Sequence, residues 1–162
     1  MRSVLSLALL LLALPGAASA ARRAADPVED GFKSVDQMIE VGEYVRARDA
    51  LDDIQAMLKA DDPRQVRYHE RTGASWLRAG KVPEARASFT AALKAAQRLK
   101  VSGDAVGRAY AGMGLCLRRE SNDRYALKFF RKALEQKLDD GTRMFVDDQI
   151  REIEGAPPLP AR

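Results

Sequence analysis

The sequence has little of the chemistry on which most enzymes depend. It contains one cysteine and one histidine in 162 residues, so no internal disulfide and no site of several histidines can form. It also has no glycine-rich nucleotide loop, no HExxH motif and no GxSxG motif. These absences argue against an enzyme, and we predict no catalytic residues, no metal site and no cofactor.

Aromatic residues are also scarce, at 6% of the chain, and runs of valine, isoleucine and threonine are missing. No segment alternates apolar and polar residues as a half-buried strand would. Alanine is abundant, and the chain is 46% hydrophobic and 31% charged, which is typical of a folded protein of one domain. The sequence therefore predicts an all-α fold.

Neither the basic nor the acidic residues are concentrated in one part of the chain. The net charge of +4 comes from 27 basic and 23 acidic residues, and the two signs alternate along the chain. Proteins that bind nucleic acids usually carry a basic tract or patch. We therefore expect no nucleic-acid partner.

The chain lacks an apolar run that could cross a membrane, but its N-terminus has the layout of a secretory signal. Arg2 precedes an apolar run over residues 4–14, about half of the roughly 20 residues that a spanning helix needs. Small residues at 18–20 then provide a cleavage site before Ala21. We predict a cleaved signal peptide over residues 1–20, no membrane span, and a periplasmic or secreted protein; a membrane anchor is the rejected alternative.

Two further segments are predicted to lie outside the folded domain. Residues 21–30 are charged, contain Pro27 and show no periodicity, so we interpret them as a flexible leader. Residues 155–162 are rich in proline and are predicted to be a disordered tail. A PxxP ligand between Pro157 and Pro160 is the alternative for the tail. The folded domain is then residues 31–154.

Within that domain, a small residue followed four positions later by a large apolar one occurs three times. The series Ala47, Leu51, Ile54 and Leu58 is spaced by 4, 3 and 4 residues, as is the series Ala85, Phe89, Ala92 and Ala96. Ala126, Phe130 and Ala133 begin the same spacing with steps of 4 and 3. This spacing places each series on one face of a helix. A small residue lets a partner helix approach closely, and the large side chain fills the space beside it.

A turn signal precedes each of these helices. Gly42 and Gly80 each lie five residues before the alanine of their series, where a helix must end and the chain reverse. In the third copy, Ser121, Asn122 and Asp123 take that place and offer side chains that can cap the next helix. Each series therefore predicts the second helix of a helical hairpin.

These residues resemble the tetratricopeptide repeat (TPR) family. The resemblance covers about residues 32–138. In the middle copy it rests on Thr72-Gly73, Trp76, Ala85, Phe89 and Ala92, and in the third copy on Tyr110, Met113-Gly114, Ala126, Phe130 and Ala133. In the first copy it rests on Gly42, Tyr44, Ala47 and Leu51. The alanines are 38 and 41 residues apart, against about 34 in the standard repeat. The resemblance implies a right-handed superhelix of three TPR-like hairpins. A helix to Glu154, with Phe145, Val146, Ile150 and Ile153 on its apolar face, would cap the end.

The resemblance also implies a binding site, because the first helices of such hairpins line a concave groove. Its residues would be Arg67, Glu70, Ala74, Leu77 and Arg78 from the middle copy and Arg108, Ala111, Leu115, Arg118 and Arg119 from the third. An apolar floor edged by arginines suits a protein or peptide that is partly hydrophobic and partly acidic. The alternative is that these arginines are ordinary solvated surface.

Two functions remain open at this point. The first is a non-catalytic, exported bacterial module that binds a protein or peptide in its groove. The second is a structural subunit that self-associates or docks in an envelope assembly. Two single residues receive structural interpretations: His69 as a packed or half-exposed residue, and Cys116 as a small buried residue rather than a reactive thiol.

Overall fold

The computed structural model describes residues 26–155, so the predicted signal peptide, residues 21–25 and residues 156–162 lie outside it. The described part is built from seven helices: α1 (Pro27–Glu40), α2 (Tyr44–Met57), α3 (Gln65–Arg78), α4 (Val82–Leu99), α5 (Asp104–Arg119), α6 (Asp123–Leu134) and α7 (Asp140–Glu154). No strand occurs between residues 26 and 155. The all-α prediction is confirmed.

The first helix starts earlier than the sequence suggested. Residues 27–30, assigned to the flexible leader, form the first turn of α1. The Asp26 carboxylate accepts a hydrogen bond from the backbone N–H of Val28 at 3.0 Å, and Pro27 occupies the first helical position, where its missing N–H costs nothing. Val28 and Phe32 are buried, and their spacing of four residues is that of a helix. Pro27 and the neighbouring acidic residues obscured this helical spacing in the sequence.

The helices pair as three hairpins, α1–α2, α3–α4 and α5–α6, followed by α7. The first two hairpins turn at Gly42 and Gly80, whose φ angles of 84° and 78° favour glycine. The third turns at Ser121, which adopts the same left-handed conformation with φ 57°. Asn122 is the N-cap of α6, but its side chain makes no capping hydrogen bond, so the predicted side-chain cap is wrong.

The core follows the small-then-large pattern. Ala85, Phe89, Ala126 and Phe130 are all at most 2% exposed. A Cβ added at Gly73 would lie 2.7 Å from Phe89 Cδ1, far closer than packed carbons approach. The backbone of α3 therefore rests directly against the Phe89 ring, which explains why the position is a glycine.

Gly112 and Gly114 show the same arrangement on α5. A Cβ at Gly112 would collide with the ring of Phe89, and a Cβ at Gly114 would lie 2.7 Å from Phe130 Cε1. Each phenylalanine ring thus sits in a depression left by missing side chains on a neighbouring helix. This packing joins the second hairpin to the third and positions α3 beside α5.

The last helix covers the end of the third hairpin. Val146 is fully buried, and Ile150 and Ile153 pack against the core of that hairpin. Phe145, predicted on the same covered face, is 43% exposed. Neighbouring residues in a helix point about 100° apart, so Phe145 and Val146 cannot both face this core.

Candidate functional site

A groove of about 310 Å³ lies between α3, α5 and α7. We call it the concave groove. It is lined by Glu70, Ala74, Leu77, Arg78, Phe89, Arg108, Ala111, Gly112, Leu115, Gly141, Thr142 and Phe145. Seven of the ten groove residues expected from the sequence are therefore together in one concavity.

The floor of the groove is apolar, and small residues keep it open. Ala74 of α3 and Ala111 of α5 line it beside Leu77 and Leu115. The ring of Phe89 reaches it from below, where Gly112 leaves room. A floor of this kind is suited to burying an apolar side chain of a partner.

The rim of the groove carries an aromatic ring and a cation. Phe145 of α7 stands at one side, and Arg78 at the end of α3 is exposed. Arg78 makes no ion pair with any residue between 26 and 155. Its guanidinium is therefore available to a carboxylate from outside, and arginine is one of the residues enriched at binding hot spots.

The groove continues past Leu115 into a second concavity that contains Arg118 and Arg119. These arginines are engaged with the protein itself. Arg119 Nη1 donates to the backbone oxygen of Leu77 at 2.6 Å, and Arg118 Nη1 donates to Gln149 at 2.6 Å and to Glu152 at 2.9 Å. Arg118 therefore ties α5 to α7, and Arg119 ties α5 to the end of α3.

Arg67 lies outside the concave groove, at the contact between α1 and α3. Its guanidinium bonds Glu29 at 2.9 Å and Asp36 at 3.3 Å and stacks 4.4 Å from the centre of the Phe32 ring. It belongs to a row of ion pairs that crosses the helices, which we call the ion-pair chain. Its members are Glu29, Arg67, Asp36, Arg71, Glu70, Arg108, Asp104 and Asp139.

Glu70 is the buried centre of this chain. Its side chain is 3% exposed, and its carboxylate lies 3.4 Å from Arg71 and 3.8 Å from Arg108. Burial raises the pKa of Glu70, although both arginines act against the shift. Its Oε2 has no hydrogen-bond partner within the described residues. Glu70 thus borders the concave groove, and Arg71 and Arg108 of the protein itself are the cations beside its carboxylate.

Arg108 links the chain to the third hairpin. Its Nη1 contacts Asp104 at 2.6 Å and lies 3.9 Å from Asp139, the residue that caps α7. The ion-pair chain therefore connects α1, α3, α5 and the start of α7, and the last three of these helices line the groove.

The two residues with possible reactive chemistry are structural, as predicted. His69 is half-buried with its ring 4.8 Å from that of Tyr68, and burial lowers its pKa. Cys116 is fully buried, which raises the pKa of its thiol to about 11. Residues 26–155 contain no group of three or more His, Cys, Asp or Glu side chains that could hold a metal ion.

Sequence reasoning missed several contributors to the site and to the ion pairs beside it, among them Arg71, Asp36 and Phe145. Arg71 and Asp36, which contact each other at 2.6 Å, were not singled out because their pairing depends on the stacking of α1 against α3. Phe145 was assigned to the core. A helical wheel of α7 would have separated Phe145 from Val146, but only the position of α7 shows that it faces the groove.

No protein-family model matches the chain, and no curated protein matches it significantly. Among solved structures, the chain is similar to a crystal structure of a TPR-like protein from Chlorobium tepidum, with a TM-score of 0.59 and 17% sequence identity. The match covers 79% of this chain and 94% of the other. The likeness establishes the TPR-like helical-repeat fold. Among the described residues, none of the helices combines the length and apolarity that spanning a membrane requires.

Proposed function

We propose that this protein is a non-catalytic binding module, exported from the cytoplasm, that holds a partner protein or peptide in its concave groove. TPR-like folds are generally used for protein interaction. The observation that carries the proposal is the pairing of an exposed Phe145 and an unpaired Arg78 at the rim of an apolar floor. An acidic residue of the partner would bind Arg78, and an adjacent apolar side chain would lie on the floor.

Among the arginines expected at the site, Arg78 is the one that we propose makes this contact. Arg67, Arg108, Arg118 and Arg119 all bond acids or backbone oxygens of the protein, so replacing them would disturb the fold as well as the groove. Arg78 can be replaced without breaking an ion pair to any residue of the described range. It is therefore the most informative position for a binding test.

The partner can be identified by photocrosslinking from position 145. A photoreactive phenylalanine analogue in place of Phe145 should crosslink one main protein in the native cell. The purified partner should then bind the Arg78→Glu variant at least tenfold more weakly, since hydrogen bonds to charged groups contribute about 1.5–3 kcal/mol. Arg98→Glu, at an exposed arginine of α4 outside the groove, is the matched control and should bind normally. Equal affinity of the Arg78→Glu variant contradicts the assignment of the groove.

Export is part of the same proposal and rests on the N-terminal pattern alone. Mass spectrometry of the protein from the native host should show a mature N-terminus at Ala21 in the extracytoplasmic fraction. Recovery of the intact chain from the cytoplasm contradicts it.

The alternative of a self-associating subunit is favoured by a separate observation. Val41, which ends α1, and Val45, in the first turn of α2, are 71% and 64% exposed, so two apolar side chains face solvent near this turn. Sedimentation should distinguish the two functions, because a subunit of an assembly dimerises with increasing concentration and loses dimerisation with Val41→Asp. A monomer at all concentrations leaves the binding module as the only proposal.

A further inference from the structure

A second and larger cavity lies away from the concave groove. It has a volume of about 800 Å³ and is bounded by α4, α5, α6 and the segment after α4. We call it the lysine cleft. Its walls are formed by the half-buried apolar side chains of Leu93, Val101, Tyr110, Met113 and Phe129.

The cleft lies beside the C-terminal half of α4 and the segment that follows it. Helix α4 has 18 residues, whereas α6 has 12. The link to α5 closes one end of the cleft, where Gly103 N–H donates to the Gln136 side chain at 3.2 Å.

The charged side chains that line the cleft are all basic. Among its described lining residues are Lys94 and Lys100 but no Asp or Glu. Lys132 adds a third cation, with its Nζ 5.8 Å from the centre of the Tyr110 ring. None of the three ammonium groups forms an ion pair within residues 26–155. The arginines on the concave side, in contrast, are mostly paired.

One of these lysines occupies an unfavourable backbone position. Lys100 caps α4 with φ 54°, in the left-handed region, where a residue with a Cβ is disfavoured. The corresponding position at the end of α7 is Gly155 with φ 70°, the usual choice. The sequence therefore places a cation at the mouth of the cleft where the backbone alone would favour glycine. Strained residues of this kind often serve binding.

We propose that the lysine cleft binds a small anionic amphiphile, a molecule with one apolar alkyl or aryl body and one carboxylate or sulfate head group. The body would contact Leu93, Met113 and Phe129, and the head group would be held by Lys94 and Lys100. The volume lies within the range of about 300–1,000 Å³ for small-molecule sites.

The charge of the lining favours a small anionic molecule as the occupant. The two lysines of the lining have no acidic counterpart among the described lining residues, so the cleft selects a negative charge on a molecule with an apolar body.

Isothermal titration calorimetry with three probes of equal chain length tests this proposal. Decanoate should bind at one site per protein, whereas decyltrimethylammonium should bind at least tenfold more weakly and decyl maltoside should be intermediate, all below their micellar concentrations. Equal binding of the cationic and anionic probes overturns the proposal, because the lysines then select nothing. Absence of decanoate binding overturns it as well.

Variants locate the site. Lys94→Gln combined with Lys100→Gly should lower decanoate affinity at least tenfold and leave decyl maltoside affinity unchanged. The matched control Lys59→Gln, at an exposed lysine outside the cleft, should bind decanoate normally. Thermal melting should show that Lys100→Gly is at least as stable as the parent, because glycine relieves the backbone strain. If the double variant retains full affinity, the cleft is not the site.

A further experiment distinguishes a free ligand from a membrane surface. Vesicles containing anionic phospholipid should not co-sediment with the protein more strongly than neutral vesicles. If anionic vesicles bind and decanoate does not, the lysines form a membrane contact and the proposal is wrong.

Discussion

The packing of Gly112 against Phe89 gives the sharpest test of the fold. In the Gly112→Ala variant, the added Cβ would collide with three carbons of the Phe89 ring, and the ring is buried. Overpacking of this severity costs about 3 kcal/mol. Replacing glycine inside a helix returns about 1 kcal/mol. The net loss of stability is then about 2 kcal/mol, or about 8 °C in melting temperature for a domain of this size.

A double-mutant cycle measured by chemical denaturation separates this clash from a general effect of the substitution. Phe89→Leu alone should destabilise the protein, since it removes buried carbons. Combined with Gly112→Ala, however, it should cost less than the sum of the two changes by about 2 kcal/mol, because the smaller side chain makes room for the new methyl group. Additive effects, or a Gly112→Ala variant as stable as the parent, would refute the packing described here.

Three further predictions concern a buried acid, a strained turn and the thiol. Burial raises the pKa of Glu70 above its usual 4.5. The protonated side chain therefore makes its full contribution to the stability of the protein below pH 4.5, and this contribution is lost as the pH rises through the pKa that Glu70 has in the folded state. Glu70→Gln keeps the side chain neutral and should melt higher than the parent at pH 7, with a difference that shrinks toward pH 4.5; a lower melting temperature at pH 7 would contradict this. Ser121→Gly should stabilise the protein by about 0.5–1 kcal/mol in urea unfolding, because Ser121 has φ 57° where the other hairpins use glycine; a loss of stability would show that the turn is not strained. The Cys116 thiol, with its pKa raised to about 11 by burial, should not react with iodoacetamide at pH 8 until urea unfolds the chain, and rapid labelling of the native protein would indicate a reactive thiol instead.

The sequence was sufficient to predict the helices and their pairing. The series that begin at Ala47, Ala85 and Ala126 have a period that only a helix satisfies, and the turns at Gly42 and Gly80 are fixed by local backbone chemistry. The start of α1 was missed because Pro27 and its acidic neighbours look like a loop until Asp26 is seen to cap them. Local patterns therefore predicted the elements well and their ends less well.

The site was only partly predictable, for a different reason. Residues such as Ala74, Leu77, Ala111 and Leu115 follow from helical periodicity once the hairpins are aligned. Whether an arginine is available for a partner depends on which acids face it from other helices. Arg78 is unpaired within the described range, whereas Arg67 meets Glu29 and Asp36. That difference arises from tertiary contacts 31 and 38 positions apart along the chain, which no local pattern contains.

The position of α7 beside α3 and α5 limits what the concave groove can hold. With Phe145 as a wall, the space of about 310 Å³ has room for one or two side chains, so the rest of a bound partner would lie outside it, across the rim. A groove of this size supplies few contacts, and linking several such contacts on one target is a general way to raise the overall affinity.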